Sequence, residues 1–528
     1  MQQVERRVAL RLLQFGAIAV VLAAAPYKSF DLDRFFVPKE LVLGITALVV
    51  TLLCIARVKR LALGRVDELL ALWLALGVVS ALFAPNWWLA GRAVALSLGG
   101  AACFWCARAL ARAGYARALV AAFALAGVVG AATALLQAYG VRTEFVSLNR
   151  APGGTFGNRN FMAHLCVITL PALLFAGLVA PTRAAFGRWC GGFALVAGAL
   201  ILSRSRAAWL ALLVGLVVLA VAGVIALRGN DGSIKPARLL TLFVAAVLGA
   251  GAALVLPNTL DWRSDSPYLD TAQSIVNYKG GSGKGRLVQY GNSLRMTLHH
   301  PLLGVAPGNW PVVYPKFASP ADPSLGTDGM TSNPWPSSDW VTFLSERGPI
   351  ALAVLGLALL ALVMDALRWL RSSAGIDDKL SAAVLLATTV ILVTVGAFDA
   401  VLLLPVAALV GWALLGALAS PSRERRAIEL TMPRRILVMV SIAVAGTLIV
   451  MRSGGQLMAM SLYATSARTA TLERASALDP GSYRIHVRLA QLYIGRSDCK
   501  RGRVHAAAAK ALFPSSPPAK RLVTACGG

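Results

Sequence analysis

Four groups of residues in this sequence combine types and spacings that could do chemistry. The first is Gly154-Thr155-Phe156-Gly157-Asn158-Arg159-Asn160-Phe161, with His164 three positions on. Two amides flanking an arginine supply several donors suited to phosphate or sugar hydroxyls; for Asn160 alone, a helix cap explains the pattern as well. The second is Ser203-Arg204-Ser205-Arg206, which separates two apolar runs with almost no loop between them. Arginines placed there are costly unless they meet an anion or a water-filled cavity. The third is Gly283-Lys284-Gly285-Arg286, followed by Arg295, His299 and His300, then Pro301 to Trp310. Its glycines allow close backbone approach and its arginines offer bidentate phosphate contacts, though lone glycines and histidines equally make turns and solvated side chains. The fourth is Ser337-Ser338-Asp339-Trp340, leading to Glu346, Arg347 and Gly348. Asp339 and Glu346 are seven apart and share one helical face, while Ser338 or Asp339 also suits a helix N-cap.

The elements that position these groups are set by composition. Of 528 residues, 57% are hydrophobic and only 14% charged, and the mean hydropathy is +0.68. Soluble domains carry about a quarter charged residues and interrupt their apolar runs, so this chain reads as a membrane protein. Apolar runs long enough to cross a bilayer fall near 8–25, 40–56, 67–84, 90–107, 116–139, 161–180, 187–202, 206–227, 238–256, 344–367, 379–397, 400–419 and 435–451, thirteen in all. The fold class expected is an all-α polytopic membrane protein.

The net charge of +27 raises nucleic acid as a partner, but the basic residues lie in short clusters between apolar runs and no nucleic-acid motif is present. Alternate connections, with the N-terminus, hold 23 basic residues against nine in the short connections of the other set. The positive-inside rule therefore places the N-terminus in the cytoplasm and all four polar groups on the outer face. A basic start, an apolar stretch and Ala23-Ala24-Ala25 also suit a signal peptide; a retained first helix is favoured because the alternation holds with it in place.

Two segments are too long and polar to be connections. Residues 257–340 form a large outer loop, positioned to close over the polar groups, and its Trp262, Trp310, Trp335 and Trp340 suit either a lid or interfacial anchors. The membrane domain is expected over 1–452 and a helical tail over 453–528. In the tail, Leu478-Asp479-Pro480 and Leu512-Phe513-Pro514 repeat at a spacing of 34, as in a tetratricopeptide repeat. One repeat is too few for a free-standing solenoid, so the tail should pack on the membrane domain or a partner. Cys499 and Cys526 both lie in it, where an oxidising compartment would allow a disulfide. Cys103 and Cys106 form a CxxC inside an apolar run, without a second ligand pair, and read as packing residues. No P-loop, HExxH or acidic metal pair appears, so neither metal nor nucleotide cofactor is expected. The simplest physical account is an outer cavity for an anionic lipid carrying a diphosphate.

With those residues in hand, the sequence resembles the O-antigen ligase and Wzy-type polymerase superfamily of bacterial membrane glycosyltransferases. Four motifs in order carry the resemblance: GTFGNRNFMA at 154–163, SRAAWL at 205–210, Gly285-Arg286 with HPLLGVAPGNW at 300–310, and FLSERGPI at 343–350. Each is weak alone. The resemblance covers about residues 30 to 420 and implies a GT-C-like helical membrane fold in the bacterial inner membrane. It further implies transfer of a glycan from an undecaprenyl diphosphate donor to an acceptor hydroxyl on the periplasmic side. By residue match, Arg206 and Arg286 would bind the donor diphosphate, beside Arg159, Arg204 and Arg295, while Asn158, Asn160, His164 and Ser338 would shape the substrate site. The sequence departs from the family at one point. Ligases and protein O-glycosylating relatives carry a His-Asn pair before the Glu-x-Gly helix, and Ser337-Ser338 stands there. Asp339 is the nearest replacement for the base, then His300 and Glu346, then His164.

That departure favours a Wzy-type polymerase of lipid-linked repeat units, whose tail contacts a chain-length regulator. The alternatives are a ligase acting on lipid A-core or a protein O-oligosaccharyltransferase, a flippase, and an inactive scaffold. A flippase is disfavoured because the polar groups lie on one face and no inverted repeat is evident.

Overall fold

The computed structural model describes residues 3–146, 151–227, 235–260, 262, 264, 266–273, 281–372, 375–419 and 425–525. Each of the thirteen apolar runs falls on helix. In chain order these are α1 (Gln3–Leu22), α2 (Asp33–Ile55), α3 (Arg65–Ala81), α4 (Trp87–Leu110), α5 (Ala116–Ala138), α6 (Arg159–Leu178), α7 (Arg183–Ser203), α8 (Arg206–Leu227) and α9 (Pro236–Val255). The large loop contributes α10 (Pro267–Gln273), α11 (Gly281–His299) and α12 (Trp310–Val313); α13 (Asp339–Leu370) and α14 (Ile376–Phe398) follow. A π-turn over Ala407–Gly411 leads into α15 (Trp412–Leu418), and α16 (Met432–Thr465) into the tail helices α17 (Thr469–Leu478), α18 (Tyr483–Ile494), α19 (Cys499–Leu512) and α20 (Pro517–Thr524).

Among the described residues, nine helical stretches are long and apolar enough to cross a membrane, one of them, Trp87–Ala138, covering two of the expected runs. A helix of about 20 residues spans the ~30 Å hydrocarbon core at 1.5 Å per residue. The chain is an all-helical polytopic membrane protein. Of the remaining expected runs, α1 carries Glu5, Arg6, Arg7 and Arg11, while α3 and the helix over 407–418 are shorter.

With lipid outside, packing must come from close fit and internal polar pairs. On α9, Gly249 sits so near the backbone of Ala194 on α7 that an added Cβ would lie 2.2 Å from its carbonyl oxygen. Between α3 and α4, the buried Asp67 carboxylate accepts hydrogen bonds from Arg108 and, at 2.9 Å, from Trp105 Nε1. Two short strands, Arg60–Leu63 and Arg426–Glu429, pair antiparallel at the arginine-rich end of the bundle; no sequence signal marks them, because four-residue strands with little alternation look like loop.

The loop has a core of its own. Trp310 is fully buried with Met296, Val305, Val312 and Tyr314, so it is neither a lid edge nor an anchor. The loop is locked to α13 at a kink: Gly348 has φ +79° and a Cβ there would meet Leu302 oxygen at 2.2 Å, while Gly304, φ +65°, would meet the Glu346 backbone. Only glycine fits either position. The expected domain junction at 452/453 lies inside α16. The tail packs on the membrane domain, with Asn86 Nδ2 donating to Leu512 oxygen at 3.0 Å and Arg484 pairing with Asp31 at 3.1 Å. Cys499 is disulfide-bonded; Cys526, its expected partner, lies outside the described residues.

Candidate functional site

The site is assembled at the loop-bearing end from four helix termini, a long loop helix and the turn that follows α14. Helix α6 starts with Asn158 as its N-cap, whose side chain accepts the Asn160 N–H at 2.9 Å. This cap turns Asn160 inward, and its Nδ2 donates to Asp399 Oδ2 at 3.3 Å. One turn further along α6, His164 is 1% exposed, with Nε2 4.0 Å from the same carboxylate oxygen. Neither ring nitrogen of His164 has a hydrogen-bond partner among the described residues. Arg286, half-buried on α11, is near enough to act on His164 electrostatically.

Asp399 is the residue that motif reading missed. It stands alone between Lys379 and the next charged residue, in a run of some forty otherwise uncharged positions. A lone carboxylate there is a signal, since ionisable groups at membrane depth mark function; the apolar run masked it.

Three arginines converge beside this cluster. Arg159, the first residue of α6, acts electrostatically on Arg204 and Arg206 and lies over the Trp262 ring at 5.5 Å. Arg204 closes α7 in the left-handed conformation, φ +50°. Its guanidinium lies 4.5 Å from the centroid of the same ring, and Nε donates to Thr271 Oγ1 at 2.8 Å. Burial lowers the Arg204 pKa, partly offset by Tyr268 and Asp270. Like charges so close repel, and an anion between them would relieve the repulsion. Trp262 is therefore a platform for two arginines.

Other expected residues are placed elsewhere. Arg295 is nine positions after Arg286 on α11, half a turn away around the helix, and is exposed. His300 is exposed beyond the end of α11, roughly 20 Å along it from Arg286. Ser338 is the N-cap of α13, its Oγ accepting the Val341 N–H at 3.4 Å and donating to Gly396 oxygen at 3.0 Å. Asp339 is fully buried and accepts the backbone N–H groups of Val401 (2.9 Å) and Leu402 (3.0 Å). It holds the turn that carries Asp399. Glu346 accepts the N–H groups of Gly308 (2.7 Å) and Trp310 (3.1 Å), and so pins the loop core. The two carboxylates share a helix face but serve different backbone segments.

An all-helical membrane scaffold that gathers arginines and a buried carboxylate at one end suits an anionic ligand at the membrane surface. Residues 191–356 match the family model Wzy_C, described as O-antigen ligase. That stretch runs from α7 through the first half of α13, and so includes Arg204, Arg206, Arg286 and the Glu346 loop clasp. The match supports an O-antigen-ligase-like glycan transferase. No curated protein is similar enough to match the chain.

Proposed function

We propose that the protein transfers a glycan from an undecaprenyl diphosphate carrier to an acceptor hydroxyl on the periplasmic face of a bacterial inner membrane, as a Wzy-type polymerase of surface-polysaccharide repeat units. The observation that carries this reading is the convergence of Arg159, Arg204 and Arg206 with Arg286 and the Asn160–Asp399–His164 cluster at one membrane end. In this reading the acceptor oxygen attacks the anomeric carbon and the bond from that carbon to the diphosphate oxygen breaks. The electron pair leaves with the diphosphate, whose charge Arg206 and Arg286 stabilise, and no metal is needed. The proton passes to Asp399, side chain 11% exposed, oriented by Asn160 with His164 behind it.

Two things favour Asp399 over Asp339 as the base. Asp339 is occupied by two backbone amides, and the backbone of Asp399 runs alongside the position of the family's missing histidine: the Asp339 N–H donates to the Asp399 backbone carbonyl oxygen at 3.2 Å and Ser338 reaches the Gly396 carbonyl. The membrane domain would comprise 1–452, with an N-terminus in the cytoplasm, and 453–528 would form a tetratricopeptide-like periplasmic tail that meets a chain-length regulator. Supplying the purified protein with lipid-linked repeat units tests the function. A ladder of products is expected; single-unit transfer to lipid A-core would replace the polymerase reading with a ligase.

A further inference from the structure

A cavity of about 480 Å³ lies between the membrane domain, the large loop and the tail. Its walls combine aromatic and charged groups: Trp88 and Trp335, Glu40 and Arg92, Arg452 and Gln456. The charges are mostly spent on each other. Arg92 donates to Glu40 Oε1 (2.7 Å) and pairs with Asp33 (2.8 Å), Arg452 lies 3.8 Å from Glu40, and Arg484 pairs with Asp31. On the tail side, burial raises the pKa of Asp479, against the lowering effect of Arg452. Five carboxylates against three arginines line the space, which disfavours an anion and leaves the diphosphate to the arginine cluster. Two buried polar atoms, Gln456 Oε1 and Arg452 Nε, have no hydrogen-bond partner among the described residues. Both residues line the cavity, and a polar edge of this kind offers hydrogen-bonding groups to a hydroxyl-bearing occupant.

The cavity also adjoins the proposed reaction centre. Phe36, Leu404 and Pro405 line both it and the small cavity of about 20 Å³ that His164 faces. Trp335 is braced on that common wall, 5.6 Å from the Phe36 ring and 6.4 Å from the Phe161 ring. Aromatic rings beside hydrogen-bonding carboxylates and amides suit the apolar face and hydroxyl rim of a sugar ring.

We propose that this cavity is the acceptor subsite, holding an uncharged sugar of the acceptor glycan between Trp335 and the Gln456–Arg452 edge, with the tail forming its roof. The proposal rests on the transferase reading above for the word acceptor, but sugar binding in the cavity can be tested without turnover. The probe is the oligosaccharide released by mild acid from lipid-linked repeat units of the source bacterium, bound to the full chain in nanodiscs and followed by saturation-transfer NMR. Trp335→Leu and Gln456→Leu should each weaken binding about tenfold or more, while Arg206→Ala stays within about twofold. Gln456→Glu, which keeps an acceptor at the same point, should bind better than Gln456→Leu and so separates lost contact from misfolding. No binding to the unaltered protein, or loss with Arg206→Ala and none with Trp335→Leu, would overturn the proposal. Binding in the cavity without glycan transfer to any acceptor would keep the sugar site and remove the transferase reading instead.

Discussion

The Asn160 amide donates to the Asp399 carboxylate at 3.3 Å across 239 positions of sequence, joining the start of α6 to the turn after α14. His164 approaches the same oxygen from one turn deeper. Replacing Asp399 by Asn keeps the shape and removes the proton acceptor. Glycan transfer should fall by about 10² to 10⁴, the usual contribution of a general base. The melting temperature in detergent should stay near that of the parent. Full activity in Asp399→Asn would take the residue out of the reaction; His164→Gln should be milder and change the pH–rate profile.

The arginines are expected to act on charge that develops in the diphosphate. Arg206→Ala and Arg286→Ala should each lower kcat by about 10² or more, as removal of one transition-state donor does elsewhere. Lysine at either position should restore only part, because an ammonium cannot make the two-pronged contact of a guanidinium. Arg295→Ala, on the exposed face of α11, should leave turnover unchanged, and steady-state kinetics with purified donor distinguishes the three.

Glu346 and Asp339 are predicted to be stability residues. Glu346→Ala strands the buried N–H groups of Gly308 and Trp310, and Asp339→Ala those of Val401 and Leu402. Leaving a buried donor without a partner costs about 1–3 kcal/mol, so each variant should lose stability on that order. Thermal unfolding in detergent should show it directly. A variant inactive at an unchanged melting temperature would place that carboxylate in the chemistry instead.

The tail should loosen in acid. His486 Nδ1 is 3.0 Å from His505 Nδ1, and His505 Nε2 is 3.0 Å from Glu473. Burial lowers the His486 pKa below its free value, so the unfolded tail binds a proton that the folded tail resists. Stability is then full above the free histidine pKa, about 6.5, and declines as pH falls below it. Burial would raise the Glu473 pKa, but hydrogen bonds from His505 and Tyr493 outweigh it and hold it low, which adds a second loss as pH falls through the carboxylate range. Hydrogen-exchange protection factors in α18 and α19, taken relative to the intrinsic exchange rate at each pH, should fall between about pH 7 and 5. His486→Gln should flatten that upper part of the dependence, and an unaltered profile would remove His486 as its source.

The sequence by itself determined the spans and the end at which arginines and amides gather. Both are local properties: a run of apolar residues must be helical where no water can satisfy the backbone, and arginines or amides at its ends are visible one by one. The helix cap at Ser338 was legible for the same reason, whereas the cap expected at Asn160 falls two residues earlier, on Asn158. Tertiary structure alone decided which of these residues meet. Arg286 and Arg295 look equivalent in sequence, and the packing of α11 turns one toward His164 and the other to solvent. Asp339 and Glu346 look like catalytic carboxylates until the turn at 401–402 and the loop at 308–310 use their oxygens. Asp399, silent in an apolar run, meets Asn160 and approaches His164 only because α6 packs against α14. Such meetings depend on which helix faces fit together over hundreds of residues, and no spacing within a motif encodes that.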